Sequence, residues 1–238
     1  MKIVFDHKFG AQEHVQLEYY NSTLVDVGDD EFDTALARGW LTNLNSKGDY
    51  YWYQCRSTRC NLSKFNKGAP YPDVAGRQYT TDHEVFFAVD PNTDQIEQIY
   101  KDYCIHKKFN SLFHSEVNNW LECDTKVVYY DATDPIAWSK LRLYTENALE
   151  TVLFAWNYKN PKLRVGINSM IHELNWAKEH SFKYVYLGPG YEVGSIYKAN
   201  IDGFEWWTGS EWSTNTVEYI RLCERDSKLT TIKQISEL

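Results

Sequence analysis

Long apolar runs are missing from this sequence: nothing approaches the roughly 18 residues of a membrane-spanning helix, so no span and no membrane partner are expected. Basic residues are in deficit, with 25 Lys and Arg against 33 Asp and Glu and a formal net charge of −8. That balance excludes a protein that coats nucleic acid, because neutralising phosphates takes clustered cations; it leaves room for a local basic patch. Met1 to Gly10 lacks a basic segment followed by an apolar one, so no secretory signal is expected and a cytoplasmic location is. Five cysteines, an odd number, then read as thiols rather than disulfides. Fixed-period repeats, low-complexity segments and long linkers are absent. So are a His-Glu-x-x-His zinc motif, a phosphate-binding P-loop, a dinucleotide fingerprint and a serine nucleophile elbow.

Aromatic residues are abundant. They make up 16% of the chain, with 9 Trp and 18 Tyr, enough to build a core and still leave rings for stacking on a ligand. Val15, Leu17 and Tyr19 alternate with polar neighbours and predict a strand. Asp29 to Arg38 predicts a helix with acidic residues at its positive end, Ala35, Leu36 and Phe32 inward, and Gly39 as its stop. Tyr50 to Gln54, Glu84 to Val89, Lys126 to Tyr130 and the apolar Ala148 to Tyr158 predict strands, the last one central and buried. Between them, Ile96, Ile99, Tyr100 and Tyr103 recur at helical spacing over 94–109. Asn66 to Gln78 holds two Gly and two Pro and is the natural seam, dividing a smaller lobe, 1–75, from a larger domain, 76–238.

The later part of the chain is the most legible. Ile167, Met170, Ile171, Leu174 and Ala177 step by three or four and form one apolar stripe, closing with Lys178 and His180 at the negative helix end. Lys183 to Leu187 predicts a strand that runs straight into Gly188-Pro189-Gly190. Ser195 to Asn200 predicts a short helix, and Phe204 to Trp207 with Glu211 to Ser213 a closing strand and turn. Sheets with flanking helices, an α+β mixed-sheet class, follow.

Residues 164–212 resemble the C-terminal domain of the arginyl- and leucyl-tRNA–protein transferases. The matching positions are Gly166, Trp176 to Glu179, Tyr184, Tyr186, Leu187, Gly188, Tyr197, Lys198 and Trp212, with Trp156 to Pro161 similar to the family's preceding strand and turn. A weaker likeness takes in Gly39, Trp40, Tyr53, Cys55 and Cys60, and then Ile99 to Phe109. The family's cysteine cluster is incomplete here: Cys55 and Cys60 stand alone, where the family suggests an iron–sulfur or zinc site. Two thiols cannot fill a tetrahedral set without help from His7 or His14; the alternative is two free thiols. The loop 189–195 is shorter than the family's.

The resemblance implies a GNAT-like acyltransferase fold and an enzyme that moves Arg or Leu from aminoacyl-tRNA, its co-substrate, to the N-terminal amine of a protein or peptide with an acidic start. No other cofactor is implied, and a monomer is expected. Such a transfer needs little: the ester is already activated, an α-amine has a pKa of about 8, and the protein has to place the two and stabilise the oxyanion. Glu192 is the candidate carboxylate to bind the ammonium and take its proton. Tyr184 and Tyr186 share one side of their strand and either pack or pass a proton to the leaving ribose oxygen. Gly188 and Gly190 would let a ligand approach the backbone and its amides. Lys198, Tyr197, Trp156 and Arg164 complete the substrate-binding set, and Arg142 and Lys162 would extend a basic patch. His106, with Lys107 and Lys108, is a candidate tRNA contact; His172 reads as a packed helix residue. Two other readings stay open: an N-acetyltransferase using acetyl-CoA, of whose phosphate loop Arg164 to Ser169 is a partial echo, and a non-catalytic binding module.

Overall fold

The structure is a computed structural model and describes residues 2–5, 22–44, 50–66, 82–87, 93–107, 125–131, 133–159 and 161–228. The alternation at 15–19, most of the seam loop at 66–78, Lys108, His7 and His14 lie outside them. The chain divides into two compact units, one of residues 1–72 and 186–238, the other of 73–185.

The second unit is an antiparallel meander, Asp82–Phe87 (β6), Thr125–Asp131 (β7), Asp134–Thr145 (β8) and Ala148–Trp156 (β9), with a helix against each face. The period of two decides which face is which. Val128, Trp138 and Ala155 point to one side and bury the stripe Ile96, Ile99, Tyr100 and Cys104 of helix α2 (Thr93–Lys107). Trp138 is fully buried, and its indole N–H donates to the Ile96 carbonyl at 3.2 Å, so the polar edge of the ring is satisfied. Tyr129, one residue on from Val128, points the other way, to helix α3 (Val165–Glu179), where its hydroxyl donates to Glu173 at 2.9 Å. The stripe of α3 is as expected at Met170, Leu174 and Ala177, which are buried, with Ile167 and Ile171 half-buried.

Strand β8 is the largest departure from the sequence reading. Residues 134–145 carry Lys140 and Arg142, and charge at these positions hides the strand from a hydrophobicity pattern. Yet Lys126 and Lys140 sit opposite one another in register and both are buried.

The first unit holds two sheets. One has the order Lys2–Phe5 (β1), Ser22–Val25 (β2), Tyr50–Gln54 (β4), Trp40–Leu44 (β3) and is antiparallel. The other runs Trp212–Ser213 (β12), Phe204–Trp207 (β11), Ser57–Asn61 (β5) and then Tyr184–Pro189 (β10), whose last four residues belong to this unit. Helix α1 (Phe32–Ala37) follows a 3-10 turn at Asp29–Glu31 and buries Ala35 and Leu36, with Phe32 edge-on to Trp52 at 5.0 Å. Gly39 ends it at φ +76°, and a side chain there would run into the Trp207 ring. The expected short helix is 3-10, Val193–Asn200. A further helix, α4 (Thr216–Asp226), was not expected from the apolar pattern; its signal is the cap, Asn215, whose side chain accepts from the Glu218 N–H at 3.1 Å. The class is α+β, mixed sheet with flanking helices, as expected.

Candidate functional site

Strand β10 is the element that the sequence singles out, and its side chains are committed inward: Val185, Tyr186 and Leu187 are buried and Tyr184 is half-buried. The Tyr186 ring packs edge-on to Trp212 at 5.9 Å, and the Arg59 guanidinium lies 4.0 Å over the Trp212 ring. Arg59 in turn bonds Glu205 at 2.8 Å, with Lys64 at 3.0 Å and Asn61 at 3.3 Å on the same carboxylate. Burial works to raise that carboxyl's pKa, but the hydrogen bonds from Lys64 and Arg59 outweigh it and hold Glu205 below the usual carboxylate range.

The strand ends in two glycines with opposite roles. Gly188 sits at φ +70°, and the Thr58 hydroxyl donates to its carbonyl at 2.7 Å. Where a side chain would begin at Gly188 there is nothing within 4 Å. Gly190 is enclosed: a side chain would run into the Tyr219 hydroxyl and lie 2.7 Å from a Thr58 methyl. Its N–H donates to the Arg56 carbonyl at 2.9 Å, and its own carbonyl accepts from Arg56 Nη1 and Cys223 Sγ, both at 3.3 Å. The expectation of a ligand-binding amide at Gly190 is therefore corrected: that amide is used by the protein, because α4 and β5 close on it. Arg56 is fixed by Asp226 at 2.7 Å.

Lys198 is also turned inward. It is buried, and its ammonium donates to the carbonyls of Leu187 at 2.6 Å and Pro189 at 2.9 Å, which bracket Gly188. It thus fixes the bend of the strand and sets a positive charge behind it. Glu192 is exposed at the start of the 3-10 turn, and Tyr197 on the same turn is 38% exposed. The first unit therefore gathers Tyr186, Gly188, Gly190, Glu192, Tyr197 and Lys198 around one strand end.

Tyr184, Trp156 and Arg164 belong to the second unit. Trp156 ends β9 with its ring 3.9 Å from that of Tyr158, which also stacks on His106 at 3.5 Å and Tyr103 at 6.1 Å. Arg164 precedes α3 at φ +48°, and its carbonyl accepts from the N–H groups of Ile167 and Asn168. Arg142 does not extend a basic surface patch: it is buried and lies 3.4 Å from Glu150, which also accepts from the Tyr144 hydroxyl. Cys55 pairs with the Ser57 hydroxyl at 3.4 Å, and Cys60 donates to the Asp202 carbonyl at 3.4 Å. Both are buried, and among the described residues no three His, Cys, Asp or Glu side chains stand together as a metal set. Cys55 and Cys60 thus contact different protein oxygens, and His7 and His14, which the set would need, lie outside the described residues.

Sequence reasoning missed Thr58 and Arg56, which hold the two glycines from more than 100 residues away, and Glu173. The Glu173 side chain is enclosed between α3 and the sheet, hydrogen-bonded to Tyr129 and Ser139; burial, outweighing those bonds, pushes its pKa up to about 7. Its place inside the apolar stripe of a helix was the only available signal.

No protein-family model and no curated protein matches the chain. Among solved structures it is similar to the C-terminal domain of a protein described as a lysylphosphatidylglycerol synthetase from Agrobacterium fabrum, at 14% identity and TM-score 0.45 over 56% of this chain and 46% of that one. It is likewise similar to L-PGS from Bacillus licheniformis, at 14% identity and TM-score 0.45 over 72% of this chain and 57% of that one. A tandem GNAT protein from the clavulanic acid biosynthesis pathway gives 8% identity and TM-score 0.41 over 77% and 59%. The chain thus spans about half the length of the first two. At these scores the likeness is a partial one of fold and carries nothing about activity. Among the described residues no helix is long and apolar enough to cross a membrane.

Proposed function

We propose that the chain is a GNAT-type acyltransferase that moves an amino acid, Arg or Leu, from aminoacyl-tRNA to the N-terminal amine of a protein or peptide that begins with an acidic residue. The observation that carries the reading is the end of β10, where Gly188, itself buried, has no neighbour within 4 Å of the point where a side chain would begin, beside a strand whose neighbouring carbonyls are held by Lys198. Main chain without a side chain in front of it can be approached closely by a flat ester group. The sequence resemblance over 164–212 supports the same assignment.

In this reading the ester carbonyl lies against Gly188. The amine nitrogen attacks the carbonyl carbon, the bond from that carbon to the ribose oxygen breaks, and the ribose leaves as an alcohol. Glu192, exposed at the rim, accepts the proton of the attacking ammonium, directly or through water. Tyr186, the tyrosine of β10 that belongs to this unit, returns a proton to the ribose oxygen and takes the second amine proton in its place. The Lys198 ammonium withdraws negative potential from the strand end, which favours the charge that develops on the ester oxygen. Tyr197 completes the proposed substrate contacts within the first unit.

The test is to incubate the full chain with radiolabelled aminoacyl-tRNAs and peptides starting with Asp or Glu, with acetyl-CoA as the competing donor. Label passing from arginyl- or leucyl-tRNA to peptide supports the assignment. Label that stays on tRNA for every amino acid, or acetyl transfer alone, overturns it.

A further inference from the structure

A cavity of about 320 Å³ opens in the second unit; of the residues named above as substrate contacts it takes in Trp156. Ligand pockets start at roughly this size, on the order of 300 Å³. Four stretches of the chain build it: residues 95–102 of α2, the β7–β8 hairpin turn, the end of β9, and the turn leading into α3. Its floor is apolar, with Ile99, Ile136 and Val165 themselves buried in the unit. Trp156 supplies an aromatic wall, braced from behind by Tyr158 at 3.9 Å.

The charge of this cavity is one-sided. Asp102, Asp131 and Asp134 line it, and Lys159 is the one cation in the lining, so two negative charges are left over. Asp131 and Asp134 are register partners across the hairpin. Side chains directly opposite in an antiparallel pair project on the same face, about 5 Å apart, and like charges there repel. Both are exposed at the rim and neither has an ion-pair partner among the described residues, whereas the half-buried Asp102 accepts a hydrogen bond from Gln98 at 2.9 Å. A turn would explain one aspartate on grounds of backbone preference alone. It does not explain two facing carboxylates over an apolar floor beside an indole.

We propose that this cavity binds a small aliphatic diammonium compound, its methylene stem along Trp156 and the apolar floor and its two ammonium groups at the carboxylates. Both halves of that chemistry are needed. The stem fills the apolar part and removes its surface from water. The two ammonium groups match the two uncompensated charges, and an ammonium near the indole face gains a cation–π contribution as well. A divalent metal ion would satisfy the charge and leave the floor empty; a neutral diol would do the reverse.

Isothermal titration of the full chain at low ionic strength with 1,4-diaminobutane decides the matter, with n-butylamine, 1,4-butanediol and magnesium chloride as comparisons. The expected result is saturable one-to-one binding of the diamine, about tenfold weaker binding of the monoamine, and none of the diol, because two ion contacts are lost in steps. Asp131→Asn with Asp134→Asn should weaken the diamine by about tenfold or more at unchanged melting temperature, since Asn also suits a turn. If that double variant does not fold, Asp102→Asn at the half-buried position on α2 serves in its place. Equal heats for diol and diamine, tighter binding of magnesium, or a diamine affinity untouched by the Asn substitutions would overturn the proposal. The titration reads binding and not transfer, so a chain inactive on aminoacyl-tRNA leaves it standing or falling on its own.

Discussion

The Glu173 carboxyl group is enclosed by α3 and the sheet, with hydroxyl groups and no cation for company, and it retains its proton in the folded chain up to about pH 7. The unfolded chain releases that proton near 4.5. Between those two values the unfolded state binds fewer protons, so a rise in pH favours unfolding. The associated stability is complete below the unfolded value and disappears as pH climbs through the folded one, amounting to on the order of 3 kcal/mol. Glu173→Gln keeps the neutral shape and cannot ionise. Urea midpoints measured at pH 5 and pH 8 should therefore drop more for the natural chain than for the variant; equal pH dependence in the two would show that the burial has been misjudged. At the same scale, Lys198 and Arg142 teach a common lesson. Sequence offers a lysine or an arginine as a surface cation by default, and here one is turned onto the carbonyls of Leu187 and Pro189 and the other onto Glu150.

Among the elements, those with a clean period were legible. The stripe of α2, the stripe of α3, and strands β4, β7, β9, β10 and β11 fall where spacing predicts them. The two longest misses share a cause, charge inside an element: Lys140 and Arg142 disguise β8, and the Glu-Arg-rich 216–226 disguises α4, which only its Asn215 cap announces; the uncharged strands β2 and β3 went unread because four or five residues give too little alternation to count. The junction of β10 with α4 and β5 supplies a test at this scale. Gly190→Ala must displace Tyr219 or Thr58, and overpacking of this kind costs about 1–3 kcal/mol. Gly188→Ala meets no neighbour and bears only the left-handed strain of roughly 1–2 kcal/mol. If the open space at Gly188 is where the ester lies, the second variant loses transfer out of proportion to its small drop in melting temperature, and the first loses stability foremost. The reverse ranking would remove Gly188 from the site.

At the scale of the whole molecule the charge of −8 is the governing quantity for any encounter with tRNA. Lys198 and Arg142 are occupied internally and take no part in displacing counterions, and acidic residues outnumber the basic ones that remain. The affinity for aminoacyl-tRNA should accordingly fall only shallowly with salt, with a log–log slope of magnitude about 1–2. A slope several times steeper would mean an extensive basic surface that the proposed reading does not contain. The amino-acid order by itself determined the α+β class, the periodic elements and the strand that ends in Gly188, because each of those is a property of residues close together along the chain. Which glycine is open and which is filled, which lysine faces inward, which glutamate keeps its proton and where a cavity gathers three aspartates against a tryptophan were decided only by the tertiary structure. Thr58 reaches Gly188 across 130 positions, and Tyr129 reaches Glu173 across 44, so the environment that sets each group's chemistry exists only once distant segments have packed.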